Sequence, residues 1–154
     1  MRLALRRGLT VTAIDRDTSR LGDLAARPDV EVITADLEGG APFPLAGRAF
    51  AGVIVTNYLW RPILPAIGAA VAPDGMLIYE TFACGHERLG GRPSNPDFLL
   101  RPNELAEVAI AAGLIVIAFE QVREDRPRSR IVQRIAAVGP SHPWVAAPPR
   151  HFAP

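Results

Sequence analysis

Lysine is absent from this 154-residue chain, and all 17 basic residues are arginine. Any strand-end carboxylate that needs a cationic partner must therefore find a guanidinium. There is one cysteine, Cys84, which excludes an internal disulfide framework. No apolar run is long enough to cross a bilayer. The start, Met-Arg-Leu-Ala-Leu-Arg-Arg-Gly-Leu, lacks the apolar core and small-residue cleavage site of a signal peptide. The formal net charge of +1 gives no reason to expect nucleic acid or an acidic membrane surface as a partner. These absences point to a cytoplasmic protein that handles a small molecule.

What is present is ordinary globular material. Hydrophobic residues make up 49% of the chain and charged residues 21%, enough for one core. The 15 prolines sit mostly at segment edges and in the last stretch.

Leu9–Asp15 reads as a short parallel strand ending in a carboxylate. Residues 2–8 before it look like the last turns of a helix, stopped at Gly8. Asp17-Thr18-Ser19 offers caps for a helix up to Pro28, with Leu21, Leu24 and Ala25 as its stripe. Val30–Asp36 is a second strand, again ending in an acid, followed by a Gly- and Pro-rich loop to Arg48. Phe50–Thr56 is a third, nearly all apolar and so expected to be covered on both faces.

A short helix is expected from Ile63 to Val71. A Pro-Asp-Gly turn, Ala72–Gly75, leads into a strand over Met76–Phe82. Residues 83–98 form a long loop of the kind that is functional or mobile in compact domains. The next helix opens at Pro102 or Asn103, turns Leu105, Val108, Ala109 and Ala112 inward, and stops at Gly113. Leu114–Val122 and Ile131–Val138 make an antiparallel hairpin around a solvated turn, Arg123–Arg130. The order of elements predicts an α/β fold: a Rossmann-like, mostly parallel sheet with helices on both faces and a C-terminal antiparallel hairpin. Residues 1–138 would be one domain and 139–154 a Pro- and Ala-rich tail, in which His142 and His151 carry no argument.

Candidate site residues lie at the carboxyl ends of strands, where α/β proteins place ligands. Asp15 can accept two hydrogen bonds from a ribose diol, or can merely cap the next turn together with Asp17. Asp36 can accept from an exocyclic amine, or can be an ordinary Asp turn before Gly39-Gly40; Leu37 could pack on a base. Thr56, Asn57, Tyr58 and Trp60 leave the third strand together, and an amide, a phenol and an indole suit a flat or cationic group. Glu80 and Phe82 leave the fourth strand; Glu80 could face a ligand or pair with an arginine. Asn95 and Phe98 line a substrate pocket if the long loop folds over it. Cys84 and His86, two residues apart, do not make a zinc site and have nothing nearby to complete a thiolate pair, so no metal is expected.

These residues resemble a family. The carriers are Val11–Asp15, Thr34-Ala-Asp36, Phe50–Tyr58 and Ala72-Pro-Asp-Gly75 before its strand, with the terminal hairpin. The pattern looks like a class I S-adenosylmethionine-dependent methyltransferase of the small bacterial kind related to tellurite-resistance methyltransferases. The resemblance covers roughly residues 1–138. It implies S-adenosyl-L-methionine as cofactor, held by Asp15, Arg16, Asp36, Leu37, Thr56 and Asn57. Asn57 and Tyr58 would position the transferring methyl. Trp60, Glu80, Phe82, Asn95 and Phe98 would line the acceptor pocket, and the acceptor would be a small molecule; a homo-oligomer is compatible with it.

One departure is large. In the dinucleotide fingerprint the strand-end acid follows its Gly-rich turn by about 20 residues. Here only eight residues precede Leu9. The family's first strand and acidic Gly-x-Gly loop are not in the sequence, and Asp74 replaces a glycine in the Pro-Gly-Gly turn. The resemblance thus implies an N-terminally truncated domain, with roughly 40 residues belonging upstream. It also implies that the strands flanking the missing one have no partner there. Two alternatives remain. One is a truncated, non-enzymatic remnant or partner subunit. A nicotinamide-dependent oxidoreductase shares the strand-end acid, but the post-strand Asn-Tyr motif, the hairpin and the impossibility of a Tyr-x-x-x-Lys pair stand against it.

Overall fold

A computed structural model describes residues 1–148; His151 and the rest of the last six residues lie outside the description. The chain divides into two compact units, Met1–Pro44 and Leu45 onward.

In the first unit, helix α1 (Arg2–Arg6) is followed by strand β1 (Val11–Asp15) and strand β2 (Val30–Thr34). The two strands pair in parallel, with Val11 opposite Val30 and Asp15 opposite Thr34. The first strand is shorter than expected: Leu9 is 54% exposed and stands outside it. Between the strands the expected helix does not form. Ser19–Ala26 instead makes two 3₁₀ turns broken at Gly22, whose φ of 54° and ψ of −128° no helix accommodates. No residue of that segment is buried, so its Leu21/Leu24 stripe has no packing to override the glycine. β2 also stops early, at Thr34, which leaves Asp36 in the following loop.

The second unit holds strands β3 (Phe50–Thr56), β4 (Val71–Phe82), β5 (Ile115–Glu124) and β6 (Arg130–Val138) in the order β3-β4-β6-β5. β3 and β4 are parallel, and β6 runs antiparallel between β4 and β5. The expected hairpin is thus present, with β6 inserted beside β4. The Ala72–Gly75 turn is absorbed into β4: Phe50 faces Val71 but Gly52 already faces Met76, so the extra residues bulge out of register. A Cβ on Gly75 would stand 2.6 Å from the Phe50 carbonyl oxygen, so only glycine fits that bulge. The Gly139 amide donates to the Gly75 carbonyl at 2.9 Å, and the Ser141 amide to Pro73 at 2.8 Å. The first residues after β6 are therefore tied to the sheet.

A 3₁₀ turn, Arg61–Ile63, opens helix α2 (Leu64–Ala69), shorter than predicted. Helix α3 (Glu104–Ala111) lies where the sequence puts it, with Leu105 and Ala109 buried and Gly113 at a φ of 75° past its end. Both helices cover one face of the four-stranded sheet. Leu64, Ile67, Leu105 and Ala109 pack on Leu77, Tyr79, Ile135 and Ala137. The side chains of β4 alternate accordingly: Leu77, Tyr79 and Thr81 are buried, while Ile78 on the other face is 44% exposed. The expectation that Phe50–Thr56 is covered on both faces fails for the same reason. β3 is the edge of its sheet, and Ile54, beside Ile78, is 66% exposed.

Candidate functional site

In the first unit the two predicted acids stand at the carboxyl end of the parallel pair. Asp15 ends β1 and is exposed; one carboxylate oxygen accepts from the Asp17 amide at 3.0 Å. Asp36 is likewise exposed and accepts from the Glu38 amide at 2.9 Å. Each acid thus forms an Asx turn, which fixes its side chain while leaving it open to water. The capping reading of Asp15 is seen in that bond, and its side chain is exposed as well. Asp17 takes the capping role further, accepting from the Ser19 amide and hydroxyl, and these bonds hold its carboxyl below the usual range. The Thr18 and Thr34 hydroxyls are 2.8 Å apart and tie the post-β1 turn to β2. Arg16 is exposed and Leu37 half-buried beside these acids.

In the second unit the segment after β3 turns sharply. Asn57 adopts a left-handed conformation, φ 53°, while its amide still donates to the Glu80 carbonyl at 2.9 Å. Asparagine tolerates that conformation better than most residues. Thr56 and Asn57 are exposed, Tyr58 and Trp60 half-buried. The buried Tyr79 hydroxyl donates to the Tyr58 carbonyl at 2.9 Å, and burial pushes that phenol's pKa up.

Arg61 donates to both carboxylate oxygens of Glu104, at 2.7 and 3.0 Å, and to the carbonyls of Asp97 and Leu99, at 2.6 and 2.9 Å. Glu104, at the start of α3, is 2% exposed and also accepts from the Arg101 amide at 2.7 Å. Burial alone would raise its carboxyl, but the bonds from Arg61 and Arg101 outweigh that and hold it low. A Pro-Asn-Glu helix start and an arginine 43 residues earlier give no local signal of this pairing.

Glu80 has the arginine partners that the sequence allowed it. It pairs with Arg130 at 2.8 Å and with Arg134, on the sheet face that carries no helix. Arg134 also binds Glu120 and Glu124, and Arg130 binds Glu124 at 2.6 Å. The ends of the hairpin are therefore part of an ion network and not only a solvated turn. With no lysine in the chain, arginine supplies every cation, and its fork can bridge several carboxylates.

Phe82 stacks on His86, ring centroids 4.5 Å apart. His86 is buried: the Ile131 amide donates to its Nδ1 at 3.3 Å, and its Nε2 lies 3.2 Å from the Arg92 carbonyl. This ring staples the long loop to β6, whereas Cys84 is exposed and takes no part in it. Asn95 caps the Pro96–Phe98 turn by accepting from the Asp97 amide, and Phe98 is 40% exposed. Trp60 and the Phe98 turn are thus brought to the two ends of Arg61, while Glu80 and Phe82 are engaged elsewhere. Among the described residues no three His, Cys, Asp or Glu side chains gather in metal-binding geometry. No described helix is long and apolar enough to cross a membrane.

No protein-family model matches the chain, and no curated protein matches its sequence. Solved structures do match. A SAM-dependent methyltransferase from Methanosarcina mazei superposes with a TM-score of 0.61 over 90% of this chain and 86% of its own, at 14% identity. The fold is that of the SAM-dependent methyltransferases. The citrinin polyketide synthase CMeT domain matches over 92% of this chain at 16% identity and a TM-score of 0.57. The present chain spans only 42% of that protein's length. The [4+2]-cyclase SpnF also superposes, with a TM-score of 0.61 and 15% identity over 90% of this chain and 69% of its own. A cyclase among the neighbours shows that this fold does not by itself dictate methyl transfer.

Proposed function

We propose that the chain is a methyltransferase-type unit that binds S-adenosyl-L-methionine and serves methyl transfer to a small acceptor. The observation that carries the reading is the pair of exposed acids, Asp15 and Asp36, fixed by Asx turns at the carboxyl end of a parallel pair within a methyltransferase fold. Asp15 would accept from the ribose hydroxyls and Asp36 from the adenine amine, with Arg16 and Leu37 beside them. The cofactor when bound supplies an electrophilic methyl group. What the protein adds is placement of the acceptor and exclusion of water. Thr56, Asn57 and Tyr58 are the residues to which we assign that placement, with Trp60, Asn95 and Phe98 on the acceptor side. Glu80 and Phe82, engaged by arginines and by His86, are left out of that assignment.

These residues fit the adenosine half of the cofactor. For the methionine half the sequence has no acidic Gly-x-Gly loop ahead of β1. A second reading, a non-enzymatic partner subunit, draws on the sheet pairing: among the described residues β1 bonds only to β2, and β3 only to β4. Titration calorimetry of the chain with S-adenosylhomocysteine separates the two. The methyltransferase reading expects saturable binding that Asp15→Ala weakens by about tenfold, the worth of one good charge-assisted hydrogen bond. Absence of binding heat, with no protection against thermal unfolding, defeats it in favour of the subunit.

A further inference from the structure

Arg61 spends four of its five N–H donors on two parts of the second unit that are 36 to 43 residues away. Two bonds fork onto the Glu104 carboxylate. Two reach the carbonyls on either side of Phe98. The same arginine is the residue after Trp60, whose segment is held a second time by the Tyr79 hydroxyl on the Tyr58 carbonyl.

A buried ion pair is weak evidence for stability, because desolvation costs about as much as the pairing returns. What such a pair fixes well is relative position, since a planar fork satisfied on all sides admits one arrangement. Glu104 cannot wander, being buried and bonded to the Arg101 amide as well. It therefore aims the guanidinium, and the guanidinium holds the Pro96–Phe98 turn.

We infer that Arg61, locked by Glu104, is the positioning residue of the acceptor side. It joins the post-β3 segment that carries Asn57 and Trp60 to the turn that carries Phe98, so that residues 36 to 38 positions apart in sequence present one wall. This rests on the acceptor-side assignment above, and it adds the device that builds that side. Lysine cannot substitute, because a single ammonium cannot meet a carboxylate edge and two carbonyls in one plane.

Amide hydrogen exchange tests this in a Trp144→Phe background, which leaves Trp60 as the sole indole. Glu104→Gln and Arg61→Lys should each speed exchange of the Asp97 and Leu99 amides by roughly tenfold, while β4 and β6 keep their protection. Trp60 fluorescence should become more quenchable by acrylamide in both. Glu104→Asp, which keeps the carboxylate, should recover most of both signals. Ile135→Val, a core change in β6, should move neither. Unchanged exchange at 97–99, a uniform rise in every element, or an equal rise in Ile135→Val overturns the inference. If Glu104→Gln fails to fold, Arg61→Lys carries the test. S-adenosylhomocysteine titrated in parallel keeps the two claims apart: failure of the unsubstituted chain to bind it defeats the cofactor reading and leaves the exchange result standing.

Discussion

At the scale of single residues, the Glu104 carboxyl is where charge and burial meet. Its folded-state pKa lies below the ordinary value of 4.5, so it stabilises the fold fully above that value and loses the contribution as pH falls through the lower, folded value. Urea unfolding should show the gap between the wild-type chain and Glu104→Gln narrowing as pH drops from 7 toward 3. Removing the other partner is worse. Arg61→Ala leaves a carboxylate that is 3% exposed without its main counter-charge and should cost about 3 kcal/mol at pH 7. His86 is held by backbone partners instead, with Nδ1 accepting from the Ile131 amide.

At the scale of elements, two close approaches set the packing. A Cβ on Gly68 of α2 would stand 2.5 Å from the Ala112 Cβ, just past α3, so the helices touch where both side chains are smallest. Gly68→Ala should cost roughly 1–3 kcal/mol, the usual penalty of overpacking. Adding Ala112→Gly should return part of that loss, and a double-mutant cycle in urea reads the coupling. Gly139 is the second. Its Cβ would meet the Pro73 carbonyl and stand 2.6 Å from that of Ala72, where the chain after β6 bonds to the β4 bulge. Gly139→Ala should lower the unfolding midpoint by the equivalent of about 2 kcal/mol, through lost bonds at Gly75 and Pro73. If stability is unchanged, the bulge does not anchor that segment.

At the scale of the whole molecule, each unit ends in an open strand edge. β3 is seven residues long, carries neither charge nor proline, and shows Ile54 at 66% exposure beside Ile78 at 44%. Natural edges are usually guarded by charge, proline or bulges. Ile54→Lys should reduce concentration-dependent light scattering while leaving the urea midpoint within about 0.5 kcal/mol, because the side chain contacts little. Scattering that is unchanged by the charge would show that this edge is not where copies of the chain meet.

Legible in the sequence were the strands, the terminal hairpin, the inward face of α3 and the acid that ends β1. All of these follow from local pattern: apolar runs of strand length, a helical stripe closed by glycine, and an acid placed where a strand stops. Tertiary structure decided what local pattern cannot hold. Whether Leu21 and Leu24 make a helix depended on a packing partner, and none is buried there. Whether β3 was covered depended on which faces the helices took. Glu80 met arginines 50 and 54 residues onward, and Arg61 met Glu104 across 43. Charge pairing is set by distance in space, and no spacing along the chain records it.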